Sequence, residues 1–289
     1  MSFLLQIQSF LQAFFASCMS LFKVLIMSRY VKKLPSASQS DLVVLGNGPS
    51  LVGFLDQHID FLINKSVLAV NHFVNTDAYV QIKPTYYLVN VPEFWTDVVD
   101  EDVRQKKEQV IADLLKKTQW NMHLFLGIDA KKSEAWHKLS QENKHIKIHY
   151  FNTTPIDGFV KFRYFCYQKQ CGMPRPHNVL IPSLILAINM KFKNIFVTGA
   201  DHNWMKSLYV AEDNTVYLTQ KHFYDAQTAS PDVMKSMGKG QRKMHEILIK
   251  FVHAFKGYFD IDAYAKSRNV KIINITPGSF IDAFSRLKL

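Results

Sequence analysis

Residues 41–50, DLVVLGNGPS, carry the pattern that decides the fold of this chain. The aliphatic run predicts a short buried strand over Asp41–Leu45, and the glycines and proline that follow predict a tight turn into a helix. Pro49 has the fixed φ of a first helical residue, and we expect Ser50 in the first turn. Because ligands of parallel α/β sheets bind beyond the carboxyl ends of the strands, this turn is a candidate binding site.

The turn at 46–50 has two possible roles. Its backbone N–H groups lie at the positive end of a helix dipole and are suited to bind a phosphate or carboxylate, and its glycines leave φ free. Otherwise it is a tight turn that binds nothing. Leu51 replaces a third glycine and no Gly-Lys-Ser/Thr follows, so neither the dinucleotide fingerprint nor a P-loop is present. We predict nucleotide contacts by Gly46, Asn47, Gly48, Pro49 and Ser50.

Apolar, β-branched segments alternate with helical segments along the rest of the chain. The alternation predicts one α/β, Rossmann-like domain over residues 36–289, with a mostly parallel sheet and helices on both faces. The stretch 201–240 is long, polar and weakly patterned, which is typical of a functional lid. Further strands are expected at 66–70, 85–89, 123–126, 146–151, 194–198 and 270–275, and helices at about 99–118, 130–142, 178–191 and 241–267.

Polar side chains stand where several predicted strands end. Asn71 and Asn90 follow the second and third strands, and Gly199-Ala200-Asp201-His202 follows the strand at 194–198. An amide donates and accepts hydrogen bonds, which suits ribose hydroxyls, phosphate oxygens and a pyrimidine edge. Each asparagine alone is commonly a turn residue, but their recurrence at one edge favours ligand contact. We predict nucleotide binding by Asn71, Asn90, Gly199, Asp201 and His202.

The segment 199–225 is dense in groups that could catalyse a reaction. Histidine is suited to act as a general base near neutral pH, and a tyrosine hydroxyl can donate a proton to a leaving phosphate. His202, Lys206, Tyr209, His222 and Tyr224 are the candidates in this segment. A surface loop with incidental polar residues is one alternative. A metal site is another, but no HxxxH or HxH spacing supports it, so we expect no metal ion on Asp201, His202, His222 and Asp225.

The first 35 residues predict an amphipathic helix and a linker that associate with a membrane. No charged residue precedes Lys23, and Phe, Leu and Ile side chains share one helical face while Gln, Ser and Ala occupy the other. Such segregation is typical of a helix that lies in the headgroup plane. Arg29, Lys32 and Lys33 would then contact anionic lipid. The alternatives are a helix packed on the protein's own core, one packed on a second subunit in a homo-oligomer, and a true membrane span.

Composition and charge limit the class of protein. The 289 residues are 48% hydrophobic and 20% charged, which excludes a wholly disordered chain. Lys and Arg number 35 against 24 Asp and Glu, a net charge of +11 that indicates an anionic partner. Nucleic acid is not expected, because aromatic residues do not interleave with the basic ones and no recognition motif is present. Three cysteines form no disulfide framework, which fits a reducing compartment.

Several of these motifs are similar to those of a known enzyme group. They resemble the bacterial CMP-sialic-acid-dependent sialyltransferases of glycosyltransferase family 42, and the broader group of nonulosonate transferases and pterin pyrophosphokinase-like enzymes. The resemblance implies that His222 is the catalytic base and that Tyr224 or Tyr209 assists the leaving phosphate. His177-Asn178-Val179 replaces the family's usual Ser-Gly pair. The similar segments are Gly46–Leu51, Asn71-His72, Asn90-Val91-Pro92, Thr198–Asp201 and Thr276–Phe280.

The resemblance implies an inverting glycosyltransferase. A sialic-acid-like or other ulosonate sugar would pass from a CMP-activated donor to a cell-envelope glycan, in lipopolysaccharide or capsule biosynthesis, without a metal or other cofactor. The enzyme would be a bacterial peripheral protein on the cytoplasmic face of the inner membrane. The alternatives are an ATP- and Mg²⁺-dependent pyrophosphokinase-like enzyme of the same fold group, a UDP- or GDP-sugar transferase, and a nucleotide-binding scaffold without activity.

Overall fold

The computed structural model describes residues 3–95, 101–224, 232–233, 235–236 and 240–289, and these contain helices and strands in alternation. The helices are α1 (Phe3–Met27), α2 (Leu51–His58), α3 (Asp77–Ile82), α4 (Glu101–Lys117), α5 (Glu134–Glu142), α6 (Val160–Gln168), α7 (Leu180–Asn189) and α8 (Met244–Ser267). The strands are β1 (Asp41–Leu45), β2 (Ser66–Val70), β3 (Tyr86–Val89), β4 (Met122–Gly127), β5 (Ile146–Phe151), β6 (Asn194–Thr198), β7 (Leu208–Val210), β8 (Val216–Leu218), β9 (Asp232–Val233), β10 (Lys235–Ser236), β11 (Gly240–Gln241), β12 (Lys271–Asn274) and β13 (Ser285–Arg286).

An eight-stranded sheet forms the centre of the described structure, in the order β13-β12-β6-β1-β2-β3-β4-β5. Every neighbouring pair in this sheet is parallel, which confirms the predicted Rossmann-like α/β fold. The chain runs from β1 through β5 on one side, and β6 then returns to the other side of β1. The strand order therefore reverses between β1 and β6, and a crevice for ligands opens beyond such a reversal.

Helices cover both faces of the sheet because its strands alternate buried side chains between the faces. Leu42 and Val44 of β1 pack into the core with α6, α7 and α8, and Val43 and Leu45 pack into the core with α2 to α5. Such strands are buried on both sides, so they read as continuous apolar runs. Helices α7 and α8 therefore pack on the same face of the sheet, beside the crevice.

The predicted elements match the observed ones where the apolar pattern is unbroken. β1, β2, β5 and β6 have the predicted bounds, β3 differs by one residue at its start, and β4 and β12 differ by one residue at each end. The predicted helix at 130–142 is instead a 3₁₀ turn, Ile128–Lys132, followed by α5 after Ser133. The predicted start of α4 at residue 99 lies outside the described residues. Short α3 and half-exposed α6 were not predicted, because their apolar periodicity is weak.

Helix α1 is docked on the domain by its small polar side chains. The hydroxyl oxygens of Ser17 and Ser20 accept hydrogen bonds from the backbone N–H groups of Phe159 and Asp157, at 2.9 and 2.8 Å. Ser20 is fully buried, whereas the large apolar side chains of the helix are exposed. Gly158 permits this contact, because a Cβ there would lie 2.1 Å from Ser17 Oγ. By length and composition, α1 is the one helix of the described chain that could cross a membrane.

Part of the predicted lid at 201–240 is ordered by packing against α8. Strands β7, β8 and β9 form a small antiparallel sheet. Val216 and Leu218 of β8 are buried against Ile247 and Phe251 of α8. Residues 225–231, 234 and 237–239 of the lid, with the candidate ligand Asp225, lie outside the described residues. The described segment brings residues 219–224 back over the carboxyl edge of the sheet.

Candidate functional site

A cavity of about 780 Å³ opens beyond the carboxyl ends of β1, β2, β3 and β6. This volume is in the range of small-molecule sites in proteins. Segment 177–180, helix α8 and the segment 219–224 complete its walls. Of the residues predicted to act or to bind, it gathers Gly46, Asn47, Gly48, Pro49, Asn71, Asn90, Gly199, Asp201, His202, His222 and Tyr224.

The glycines of the first turn are required by close packing rather than by a positive φ. Neither Gly46 nor Gly48 has a positive φ, in contrast to the free φ that the sequence suggested. A Cβ on Gly46 would lie 2.4 Å from the carbonyl oxygen of Gly199, and one on Gly48 would lie 2.0 Å from Asp201 Oδ2. The turns after β1 and β6 are therefore locked together, and this contact shapes the floor of the cavity.

The backbone donors of that turn are used inside the protein. The N–H groups of Gly46 and Gly48 donate to the carbonyls of Thr198 and Gly199, both at 2.8 Å. Ser50 donates to Asp201 Oδ2 through its hydroxyl at 2.8 Å and, more weakly, through its N–H at 3.4 Å. The predicted phosphate contact with these three N–H groups is therefore not available, because protein oxygens already occupy them.

Pro49 and Ser50 also differ from their predicted positions. Helix α2 begins at Leu51 with Ser50 as its N-cap, so Pro49 lies before the cap rather than at the first helical position. The Ser50 side chain does not line the cavity; it anchors Asp201. The carboxylate of Asp201 thus fills the place at the N-terminus of α2 that the sequence assigned to an anionic ligand.

The three strand-end asparagines divide between support and ligand contact. Asn71 has φ +49° and accepts the N–H of Asn90 through Oδ1 at 3.0 Å, so it ties two strand ends together. Asn47 donates through Nδ2 to the carbonyl of Val70 at 3.2 Å, which turns its Oδ1 away from that bond. Oδ1 of Asn47 is buried and has no hydrogen-bond partner among the described residues. A ligand donor is the natural partner for such an oxygen.

His222 and Tyr224 lie on the wall formed by the segment 219–224. Their rings stack with centroids 5.1 Å apart and an interplanar angle of 5°. The intervening Phe223 fixes the segment: its N–H donates to the Asn47 carbonyl at 3.0 Å, and its ring packs against Phe73 at 5.4 Å. The backbone hydrogen bond and the partly buried ring of Phe223 therefore hold the segment that carries the imidazole against the first turn.

Burial and nearby cations keep the adjacent His72 neutral. Desolvation is the largest cause of its lowered pKa; Lys106 and His222 lower the pKa further, and a hydrogen bond to Asn75 opposes them. Its ring meets Tyr224 edge-on at 6.2 Å. A neutral imidazole here supports the aromatic wall without adding charge to the cavity.

His202, which was predicted to bind nucleotide, is buried in the cavity wall and hydrogen-bonded to the protein. It has φ +53°, and its Nε2 lies 2.5 Å from the hydroxyl of Tyr258. That hydroxyl donates its hydrogen to Asn178 Oδ1 at 3.1 Å, so Nε2 must carry the hydrogen that joins the two rings. Burial lowers the pKa of His202 to about 3, and the ring stays neutral. His202 therefore supports the cavity wall through Tyr258.

The neutral His202 predicts a loss of stability in acid. The unfolded chain binds a proton below pH 6.5, whereas folded His202 resists protonation down to about pH 3, so stability is full above pH 6.5 and falls as the pH drops below it. We expect His202→Asn, which tolerates a positive φ, to lose less stability than the wild type between about pH 7 and pH 5. Chemical denaturation at both pH values measures this, and equal losses in the two proteins would contradict it.

Asn178 and Lys250 are two of the polar cavity residues that were not predicted. Asn178 Oδ1 accepts the N–H groups of Leu180 and Ile181 at 3.0 and 3.3 Å, which caps α7, but its Nδ2 is buried without a hydrogen-bond partner among the described residues. Lys250 lines the same wall from α8, where burial and, secondarily, Arg242 lower its pKa. A polar residue before a helix was the available signal for Asn178; nothing local marks Lys250.

Tyr209 lies outside the cavity. It is exposed on β7 and stacks on Tyr217 across the hairpin, at 5.5 Å with an angle of 16°. Side chains alternate between the two faces of a strand, and the side chain of Tyr209 lies on the solvent face of β7. Of the two predicted tyrosines, only Tyr224 therefore lies beside His222. Within the described residues, no group of three His, Cys, Asp or Glu side chains lies close enough to hold a metal ion.

The fold is similar to that of a known glycosyltransferase. No family model and no curated protein matches the sequence. Among solved structures, MAf glycosyltransferase from Magnetospirillum magneticum AMB-1 superimposes with a TM-score of 0.51 and 9% sequence identity over 94% of this chain. The match covers 38% of that protein, so this chain spans less than half of its length. At this identity the likeness establishes the shared fold.

Proposed function

We propose that the protein is an inverting glycosyltransferase that uses a CMP-activated, sialic-acid-like sugar and a cell-envelope glycan acceptor. The observation that carries the proposal is the convergence of Asn47, Asn90 and His222 on one cavity at the reversal of strand order. The shared fold with a glycosyltransferase and the resemblance of the strand-end motifs support the same activity.

The free polar atoms of the cavity fit a nucleotide with an acidic sugar. Asn47 Oδ1 would accept from a base amine or a ribose hydroxyl, and Asn178 Nδ2 would donate to a phosphate or carboxylate oxygen. Lys221 and Lys250 add positive charge, while Asp201, the one carboxylate among the described residues of the lining, is held by Ser50. A lining that carries both amide groups and cations therefore suits a donor with a neutral base and an anionic remainder.

The reaction follows from the position of His222. An acceptor hydroxyl oxygen attacks the anomeric carbon while His222 takes the hydroxyl proton. The bond between that carbon and the phosphate oxygen breaks, with positive charge developing on the sugar ring. Tyr224, stacked on His222, donates a proton to the departing phosphate of CMP. In this scheme a tyrosine supplies what a divalent cation supplies in other transferases, so we propose that no metal ion is needed.

A thermal-shift screen tests the function. We expect CMP to raise the melting temperature more than UDP, GDP or ATP, with no dependence on Mg²⁺. A response to ATP and Mg²⁺ would favour a pyrophosphokinase-like enzyme, and a UDP or GDP response would favour a different sugar donor. CMP binding without slow release of CMP from a CMP-linked sialic acid would indicate a non-catalytic scaffold.

Asn178→Asp separates ligand binding from folding. The carboxylate keeps the oxygen that caps α7 and accepts from Tyr258, but it removes the Nδ2 donor and adds negative charge. We expect a similar melting temperature and CMP affinity about 10-fold or more weaker. Calorimetric titration measures the affinity, and Asn178→Ala, which also removes the cap, should lose stability in addition. Unchanged CMP affinity in Asn178→Asp would count against this contact.

The exposed face of α1 supports the proposed peripheral attachment to the cytoplasmic face of the inner membrane. Its serines point to the domain, and apolar side chains such as Phe22 and Leu25 are 58% and 72% exposed. Such a helix can bury its apolar face in the headgroup region while its polar face stays bonded to protein. Lys32 and Lys33 follow in the chain and would meet anionic lipid.

Serine substitutions at Leu11, Phe22 and Leu25 test the attachment without disturbing the docked face. Because each side chain would lose its transfer energy into lipid, we expect vesicle binding about 100-fold or more weaker. Sedimentation with anionic vesicles measures the binding. Serine at three exposed apolar sites elsewhere, Val52, Ile63 and Val80, is the matched control. Equal effects of the two triple variants would show that α1 is not the anchor.

A further inference from the structure

A second cavity, of about 530 Å³, lies beside the first. The two cavities are formed by the same two elements. Segment 174–179 contributes Arg175 to the second cavity and His177 to the first. Helix α8 contributes Lys256 to the second cavity and Lys250 to the first. The rings of His177 and His253 stack between the cavities at 5.4 Å and 16°. A molecule bound in the second cavity would therefore reach toward His222 along α8.

The second cavity carries unneutralised positive charge. Asp260 is held by the guanidinium of Arg163 and by the hydroxyl of Tyr167. Arg175 and Lys256 form no ion pair with any residue that the structure describes, and they face Asp157 as the remaining carboxylate of the lining. Two unpaired cations in a concave site favour an anionic group with several acceptor oxygens.

The positive charge around the second cavity lowers the pKa of His177 at the boundary between the cavities. Burial lowers the pKa of His177 to about 4, and the nearby His253, Lys250, Arg175 and Arg242 lower it further. Cationic groups that lie close together repel one another. An anionic ligand bound here would reduce that repulsion.

The position of the second cavity relates it to α1. Asp157, on its wall, donates its backbone N–H to Ser20 of α1, and Phe159 packs its ring against Phe10 at 5.3 Å. Phe259, 52% exposed, stands on the wall formed by α8. A helix in the headgroup plane would place this cavity at the depth of lipid phosphates, with apolar side chains at its edge.

We infer that the second cavity binds the phosphate or pyrophosphate of a lipid-linked acceptor, with Arg175 and Lys256 as its anion ligands. The inference rests on the proposed transferase function and adds to it the site and the chemical class of the acceptor. The hydrocarbon chain would leave the cavity beside α1 and Phe259. The sugar would extend past His177 and His253, so that its hydroxyl meets the donor near His222.

Acylation of lysines in the full-length protein tests the site directly. Mass spectrometry compares modification of Lys256 with that of exposed Lys116, on α4 at the opposite face of the sheet. We expect vesicles of phosphatidylcholine with phosphatidic acid, and also soluble pyrophosphate, to protect Lys256 and to leave Lys116 reactive. Protection by soluble pyrophosphate but not by the phosphatidic acid vesicles would contradict the inference that the bound phosphate belongs to a lipid. Equal protection by pure phosphatidylcholine would mean simple shielding, and no protection would overturn the site.

A charge-matched pair of variants supplies the second measurement. Arg175→Gln with Lys256→Gln should bind phosphatidic acid vesicles about 10- to 100-fold more weakly than Lys116→Gln with Lys144→Gln, which removes equal charge from exposed sites. Equal affinities would overturn the inference. Both variants should keep the shift in melting temperature with CMP. If the wild type itself shows no CMP shift, the proposed function fails, and protection of Lys256 still reports on the phosphate site.

Discussion

His222→Ala should lower the rate of CMP release from a CMP-linked sialic acid by about 10²- to 10⁴-fold. Hydrolysis is the useful reaction, because the same base that activates an acceptor hydroxyl would activate water, and no acceptor has to be identified. The imidazole lies on the cavity wall, and the backbone hydrogen bond and ring packing of Phe223 hold its segment in place. The substitution should therefore leave the fold and the CMP-induced thermal shift largely unchanged.

The controls separate loss of the base from loss of the binding site. His245→Ala removes an exposed histidine from the first turn of α8 and should not change the rate. A near-normal rate in His222→Ala would reject this residue as the base. A lost rate together with a lost CMP shift would point instead to collapse of the segment 219–224 and would require a smaller change, such as His222→Gln.

Gly199→Ala should lower the free energy of unfolding by about 2–5 kcal/mol. Gly199 has φ +64°, which costs an L-residue about 1–2 kcal/mol, and its Cβ would lie 2.4 Å from the carbonyl oxygen of Gly46. Backbone must move to relieve that contact, and overpacking of this kind costs about 1–3 kcal/mol more. Denaturant titration gives the change in free energy.

Other glycines of the chain separate the two causes. Gly278 also has φ +64°, but a Cβ there would meet no atom within 4 Å, so Gly278→Ala should show the conformational cost alone. Gly53 lies in α2 with a free position for Cβ and no positive φ, and Gly53→Ala should stabilise by about 0.5–1 kcal/mol. If Gly199→Ala costs no more than Gly278→Ala, the turns after β1 and β6 are not locked as described.

The predicted and observed sites differ where polar groups are already satisfied. The turn at 46–50 was correctly predicted at the edge of the sheet. Its N–H groups, however, donate to oxygens of Thr198, Gly199 and Asp201 and are not open to a ligand. A sequence shows which backbone donors a turn presents but not which distant carbonyl will accept from them. For the same reason, the buried Nδ2 of Asn178 became visible as a ligand donor only after its Oδ1 was seen to cap α7 and bind Tyr258.

Helix α1 illustrates the same division. Its segregated faces were readable from the sequence, because helical periodicity is local. Which face would meet the domain was not, and the serines dock while the phenylalanines remain exposed, since the backbone N–H groups at 157 and 159 offer donors to hydroxyl oxygens.

The sequence by itself determined the alternation of strands and helices, the parallel sheet, and the edge at which polar residues collect, because apolar periodicity and strand-end chemistry depend on near neighbours in the chain. Only the tertiary structure decided that α8 and segment 177–180 close the cavity, that Lys250 and Asn178 face it, and that Tyr209 does not. These positions depend on how elements far apart in the sequence pack across the sheet, and burial against a distant partner leaves no local pattern.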